Sequence, residues 1–139
     1  MNLSINDIYK NRSINLIPFV ESVIVNGKIY INEIIGNMFV FIPIGIYTCM
    51  LQTNWSFIKK VAPSFMISLA IEVLQFIFAL GATDITDLLG NTLGGIVGIG
   101  IFLLLSRILK DKTIKILNIL ALIATVGLIV LLSVLIILN

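Results

Sequence analysis

Between Lys115 and Asn139 the chain carries no charged residue, and nearly every position there is aliphatic. A continuous apolar run of about 20 residues is what an α-helix needs to cross the hydrocarbon core of a bilayer. Backbone N–H and C=O groups in hydrocarbon must find partners within the protein, which a helix supplies to itself. That constraint sets the fold class: all-α, a polytopic integral membrane protein. Composition agrees, with 59% hydrophobic and 12% charged residues and a mean hydropathy of +1.15, whereas soluble domains carry roughly a quarter charged residues.

Four transmembrane helices are expected, over about 31–51, 61–80, 87–105 and 114–138, in a single domain of 1–139. Pro43 lies inside the first and should kink it by removing a backbone donor. Ahead of them, Ile14 to Gly27 (INLIPFVESVIVNG) is too short to span. It reads either as a loop or as a short interfacial helix opened by Pro18, with Leu16, Val20, Val23 and Ile24 on one face. The first residues, MNLSINDIYKNRS, lack the apolar core of a signal peptide. Lys59, Lys60, Arg107, Lys110, Lys112 and Lys115 fall in the 52–60 and 106–115 loops, against Lys10, Arg12 and Lys28 on the other side. The positive-inside rule then puts the richer side in the cytoplasm and the 81–86 loop outside.

Several classes of function drop away. A net charge of +2 gives no reason to expect a nucleic-acid partner, and the absence of histidine removes histidine-based triads and the usual zinc sites. Cys49, the single cysteine, forms no intrachain disulfide. No metal and no cofactor is expected, and self-association stays open.

Against this background Ile71 to Gly95 stands out, because it sets Glu72, Gln75, Asp84, Asp87 and Asn91 among apolar residues. A carboxylate facing lipid near the bilayer centre costs roughly 2.5–3.5 kcal/mol or more, so Glu72 should face the bundle or a wet cavity. Gln75 shares its face one turn on. A rise of about 1.5 Å per residue places Glu72 roughly 12 Å below the outer end of its helix, and Asn37 about 9 Å inward from Ile31. Asp87 and Asn91 open the third helix on one face. Three helices thus contribute polar groups to one outer layer. Asp84 or Thr83 has a plainer reading as an N-cap, and Glu72 as a buried hydrogen bond to Asn91 or Gln75. Gly90, Gly94 and Gly98 form G-x-x-x-G-x-x-x-G, a small-residue seam for close helix packing, and Gly95 follows Asn91 by four. Arg12 is the natural external counter-charge.

These residues resemble the VanZ-like family of small bacterial membrane proteins, named for a teicoplanin resistance determinant. Its pattern is an arginine before N-L-x-P-F, then N-x-x-x-F-x-P-x-G, E-x-x-Q and D-x-x-D-x-x-x-N-x-x-G. Here the pieces are Arg12 with NLIPF at Asn15 to Phe19, NMFVFIPIG at Asn37 to Gly45, EVLQ at Glu72 to Gln75, and DITDLLGNTLGG at Asp84 to Gly95. Many relatives carry an arginine where Gly81 stands, and a further span before N-L-x-P-F, where eleven residues precede Arg12 here. The resemblance implies an envelope role linked to glycopeptide susceptibility in the bacterial cytoplasmic membrane.

Three activities fit, in descending order. The first is non-enzymatic binding of a lipid headgroup, a lipid-linked wall intermediate or a lipid-bearing glycopeptide by Glu72, Gln75, Asp84, Asp87, Asn91, Asn37 and Arg12. The acidic balance favours a cationic group or a bridging divalent cation. The second is an enzyme acting on a lipid-linked substrate, with Glu72 and Asp87 as acid and base. The third is a proton-coupled exporter.

Overall fold

The computed structural model describes residues 14–15, 24–25, 28–29, 31–79 and 83–138. It is almost wholly helical: α1 (Ile31–Leu51), α2 (Phe57–Phe78), α3 (Ile85–Leu109) and α4 (Thr113–Leu138), with a 3₁₀ turn at Lys110–Lys112. Four two-residue strands accompany the helices: β1 (Ile14–Asn15), β2 (Ile24–Val25), β3 (Lys28–Ile29) and β4 (Thr83–Asp84). α1 and α4 keep the expected bounds. α2 begins four residues earlier than expected and α3 runs from Ile85 to Leu109, because apolar neighbours extend each helix past its least polar window. α1 continues as helix through Pro43.

The pre-helical segment departs from expectation. Its described ends are extended: Ile14–Asn15 pairs in parallel with Thr83–Asp84, and Ile24–Val25 pairs antiparallel with Lys28–Ile29. Leu16, Pro18, Val20 and Val23 lie outside the described residues, as do Arg12 and Gly81. At Ile24, where the sequence leaves a loop or an interfacial helix open, the chain is extended in a ladder that satisfies backbone groups between chain segments.

The chain divides into two compact units, Met1–Phe102 and Leu103–Asn139. In the first, α3 packs against α1 through glycine. A Cβ at Gly94 would overlap the backbone of Met38, one at Gly98 the carbonyl of Ile42, and one at Gly45 the carbonyl of Gly95. Gly90 in turn faces Ile34. The pairing 90/34, 94/38, 98/42 advances by four on both helices, so α1 and α3 run parallel with backbones in contact. Small residues are what permits this approach in lipid, where packing replaces the hydrophobic drive between helices. On its other side α3 meets α2, where Gly95 lies against Ser64.

α2 ends at Ala79, in the left-handed region at φ 52°, with its N–H directed to the carbonyls of Gln75 and Phe76. Glycine usually holds this position because a Cβ there costs roughly 1–2 kcal/mol. Ala79→Gly is therefore expected to raise stability by about 1 kcal/mol, read as a higher melting temperature in detergent.

In the second unit Lys110 has φ 48°, and Thr113 Oγ1 donates to the carbonyl oxygens of Lys110 at 2.7 Å and Leu105 at 3.4 Å. Leu105 and Thr113 would stand about 12 Å apart along a straight helix. The chain therefore breaks from a straight helix at Lys110. Three helical runs are long and apolar enough to cross a membrane, Ile34–Leu51, Phe57–Phe78 and the 54 residues Ile85–Leu138, the last containing this turn.

Candidate functional site

The buried residues of α2 are Ser64, Ser68 and Glu72, three polar side chains four apart on one face of an otherwise apolar helix. Spacing by four keeps them on a common stripe. Their partners descend α3 in the opposite order. Ser64 abuts Gly95, Ser68 Oγ accepts from Asn91 Nδ2 at 2.9 Å, and Glu72 Oε2 accepts from the backbone N–H of Asp84 at 3.0 Å. Glu72 is 4% exposed and Asn91 5%, which seals both from bulk water and from lipid. The expected partners of Glu72, Asn91 and Gln75, are thus replaced by the main chain just ahead of α3.

Asp84 joins four pieces of chain. Its Oδ1 accepts from the N–H of Thr86 at 2.8 Å, the N-cap bond that settles an orphan donor of α3. Its Oδ2 accepts from Asn15 Nδ2 at 3.3 Å, across the β1–β4 pairing. Its own N–H goes to Glu72, and neighbouring Thr83 donates Oγ1–H to the Glu72 carbonyl at 3.3 Å. Asp84 therefore caps α3, its plainer reading, and is also hydrogen-bonded to Asn15 and Glu72. A two-residue strand suffices here because side chains supply the remaining bonds.

Asp87 turns the other way. Its Oδ1 accepts from Asn37 Nδ2 of α1 at 2.8 Å, so it ties α3 to α1, while Asn91, one turn on, ties α3 to α2. Asn37, Gln75 and Asp87 are half-buried, in contrast to Glu72, Asp84 and Asn91. The six described candidates are thus brought to one end of the first unit in two tiers, an enclosed tier of Glu72, Asp84 and Asn91 and an accessible one of Asn37, Gln75 and Asp87. Arg12 lies outside the described residues.

Three polar atoms are buried without a hydrogen-bond partner among the described residues: Ser64 Oγ, Gln75 Oε1 and Asn91 Oδ1. Among the described residues no three of His, Cys, Asp and Glu come together as a metal-ligand set. The carboxylates are instead dispersed, each taken up by amide or backbone donors. Lys60 sits twelve residues before Glu72, about 18 Å away along α2, with its Nζ on the carbonyl of Thr53 at 3.0 Å. Grooves along the helices are apolar. One of about 330 Å³ lies between α2 and α3, lined by residues that include Val61, Phe65, Thr92 and Ile96. Another of about 380 Å³ lies between α1 and α3, lined by residues that include Met38, Phe39, Val97 and Ile101.

Sequence reasoning missed Ser64, Ser68 and Asn15. The first two repeat with Glu72 at a spacing of four, a signal present in SFMISLAIE but hidden by the tolerance of membrane helices for serine. Asn15 required the strand pairing.

The chain matches the VanZ/LLP1 family over residues 2–110 and belongs to it. It is 38% identical over 104 residues to Protein VanZ of Enterococcus faecium, an alignment covering 75% of this chain and 61% of that relative. The aligned part therefore spans less than two thirds of the relative's length. No solved structure matches. Family and apolar helices together make this a membrane protein.

Proposed function

We propose that this VanZ/LLP1-family protein crosses the bacterial cell membrane four times and binds a lipid-bearing envelope molecule through its outer polar tier. The bound class is a headgroup rich in cationic or hydrogen-bond-donating groups, carried by a membrane lipid, a wall intermediate or a glycopeptide such as teicoplanin. Binding without covalent change is the activity.

Four crossings rest on length and on the turn. A 54-residue helical run would be about 80 Å long, against a hydrocarbon core of about 30 Å. The break at Lys110 falls where two spans of fitting length would meet. With four crossings the six basic residues of the α1–α2 and α3–α4 connections share one side, which the positive-inside rule makes cytoplasmic. The carboxylates then face outward.

One observation carries the binding reading. Asp87 and Asn37 form a half-buried hydrogen-bonded pair between α3 and α1, at the end of the unit where Glu72 and Asp84 are enclosed. A donor-rich headgroup would meet the Asp87 carboxylate and leave its acyl chains in the apolar grooves between helices. The link with glycopeptide tolerance comes from the resemblance to the VanZ-like family, named for a teicoplanin resistance determinant.

Asp87→Asn tests this. The amide keeps the shape and can still accept from Asn37, so the fold should persist, while the charge that draws a cationic headgroup is gone. Teicoplanin tolerance conferred by the wild-type chain should fall several-fold at equal membrane protein. Unaltered tolerance would remove Asp87 from the binding rim.

A further inference from the structure

Away from the carboxylates, the stretch RILKDKTIK from Arg107 to Lys115 sets four basic residues against one acidic residue within nine positions. It closes α3 and opens α4, inside the second compact unit. Arg107, Lys110, Lys112 and Lys115 are exposed, as is Asp111. No hydrogen bond or ion pair among the described residues engages any of these five side chains. Lys60 of the α1–α2 connection, by contrast, gives its amine to the carbonyl of Thr53.

This positive charge borders an apolar surface. Asp111, Lys115, Asn118 and Leu122 follow at intervals of four, three and four, close to one stripe of a helix. With Ile114 and Ile119 they line an open groove of about 560 Å³. Most of its polar residues come first along the chain and its apolar ones last. Lys115 and Leu122 stand about 10 Å apart along α4, enough to pass from a headgroup layer roughly 5–8 Å deep into hydrocarbon.

We infer that this groove binds an anionic phospholipid whose headgroup also carries hydroxyl groups, of the phosphatidylglycerol kind. The phosphate lies on the Lys115 ammonium. Arg107, Lys110 and Lys112 supply the surrounding positive field, each worth about fivefold in affinity for an anionic surface. A bare phosphate monoester would bring its second charge against Asp111. A glycerol hydroxyl instead donates to the Asp111 carboxylate, while the Asn118 amide donates to an ester oxygen. One acyl chain then follows Ile114, Ile119 and Leu122. The site is cationic where the Asp87 rim is acidic, and it belongs to the second unit rather than the first. It draws on the four-crossing reading only in needing the break at Lys110 to lie at a membrane surface.

Native mass spectrometry of the full chain in detergent, titrated with lipids of identical acyl chains, tests this. The wild-type chain should bind phosphatidylglycerol about tenfold or more tighter than phosphatidylcholine. Lys115→Gln should lower that affinity about fivefold at an unchanged melting temperature. Lys59→Gln, at an exposed lysine of the α1–α2 connection, should leave it alone. Asp111→Ala gives the sharper result. Binding of phosphatidylglycerol weakens because an acceptor is lost, and binding of phosphatidic acid strengthens because a repelling charge is gone. Equal losses in Lys115→Gln and Lys59→Gln would reduce the effect to diffuse attraction and overturn the site. Tighter binding of both lipids by Asp111→Ala, or no preference over phosphatidylcholine, would overturn it too. Displacement of the lipid by glycerol phosphate at equal concentration would make the groove a site for soluble anions, and the proposal fails. The surface location is checked separately, with Lys112→Cys in sealed vesicles and a water-soluble maleimide. A thiol that no reagent reaches from either side would remove the four-crossing reading and this site with it, whereas a reachable thiol leaves the lipid titration to decide.

Discussion

Gly98→Leu is expected to abolish accumulation of folded protein, and Gly98→Ala to lower stability by about 1–3 kcal/mol. Even a methyl group at Gly98 would coincide with the carbonyl of Ile42, part of the α1 backbone and unable to rotate away. Relief requires α1 and α3 to part along their whole contact, because Gly94 against Met38 and Gly45 against Gly95 are equally tight. Parting them also lengthens the 2.8 Å bond between Asn37 and Asp87, so stability and site geometry fall together. Gly36 and Gly100 provide the controls: a Cβ at either meets nothing within 4 Å. Gly100→Ala should even stabilise by roughly 0.5–1 kcal/mol through helix propensity. Thermal unfolding in detergent reads all of these. A Gly98→Ala protein as stable as Gly100→Ala would mean that the helices do not touch as described.

The second large effect is at Glu72, where alanine and glutamine should behave differently. Glu72→Ala removes the acceptor of the Asp84 N–H and leaves that donor buried, at a cost of roughly 1–3 kcal/mol. It also frees β4, which positions Asp84 for both Asn15 and the α3 N-terminus. Glu72→Gln keeps an oxygen in place, so the bond and the fold should survive. If the acid itself is needed, glutamine still loses glycopeptide tolerance at wild-type protein level. Normal tolerance in Glu72→Gln with loss only in Glu72→Ala would assign Glu72 a structural duty alone. Melting curves and tolerance measured on the same preparations separate the two.

Much of this was legible in the sequence, for physical reasons that differ by feature. The helices could be read because hydrocarbon leaves the backbone no alternative, so apolar length alone places them. The glycine seam could be read because a spacing of four survives as a pattern whatever the partner is. The convergence of Glu72, Asp84, Asp87, Asn37 and Asn91 followed from depth, since rise per residue fixes the layer of each group. Partner choice did not follow. Asp87 and Asn91 sit only about 40° apart around α3, yet one addresses α1 and the other α2, a division set by where the neighbours lie. Glu72 went to a main-chain N–H, which has no sequence signature. The segment before α1 is open in the sequence between a loop and an interfacial helix: Ile14–Asn15 pairs with Thr83–Asp84 far along the chain, which leaves no local trace, while Ile24–Val25 pairs with Lys28–Ile29 a few residues on.

The left-handed Lys110 has an effect out of proportion to its size. An uninterrupted greasy rod of 54 residues would have an odd count of crossings and deliver its tail to the opposite compartment from the start of α1. One positive φ and a threonine hydroxyl, on the four-crossing reading, make the count even. On that reading the same few atoms decide which side of the membrane Leu138 reaches.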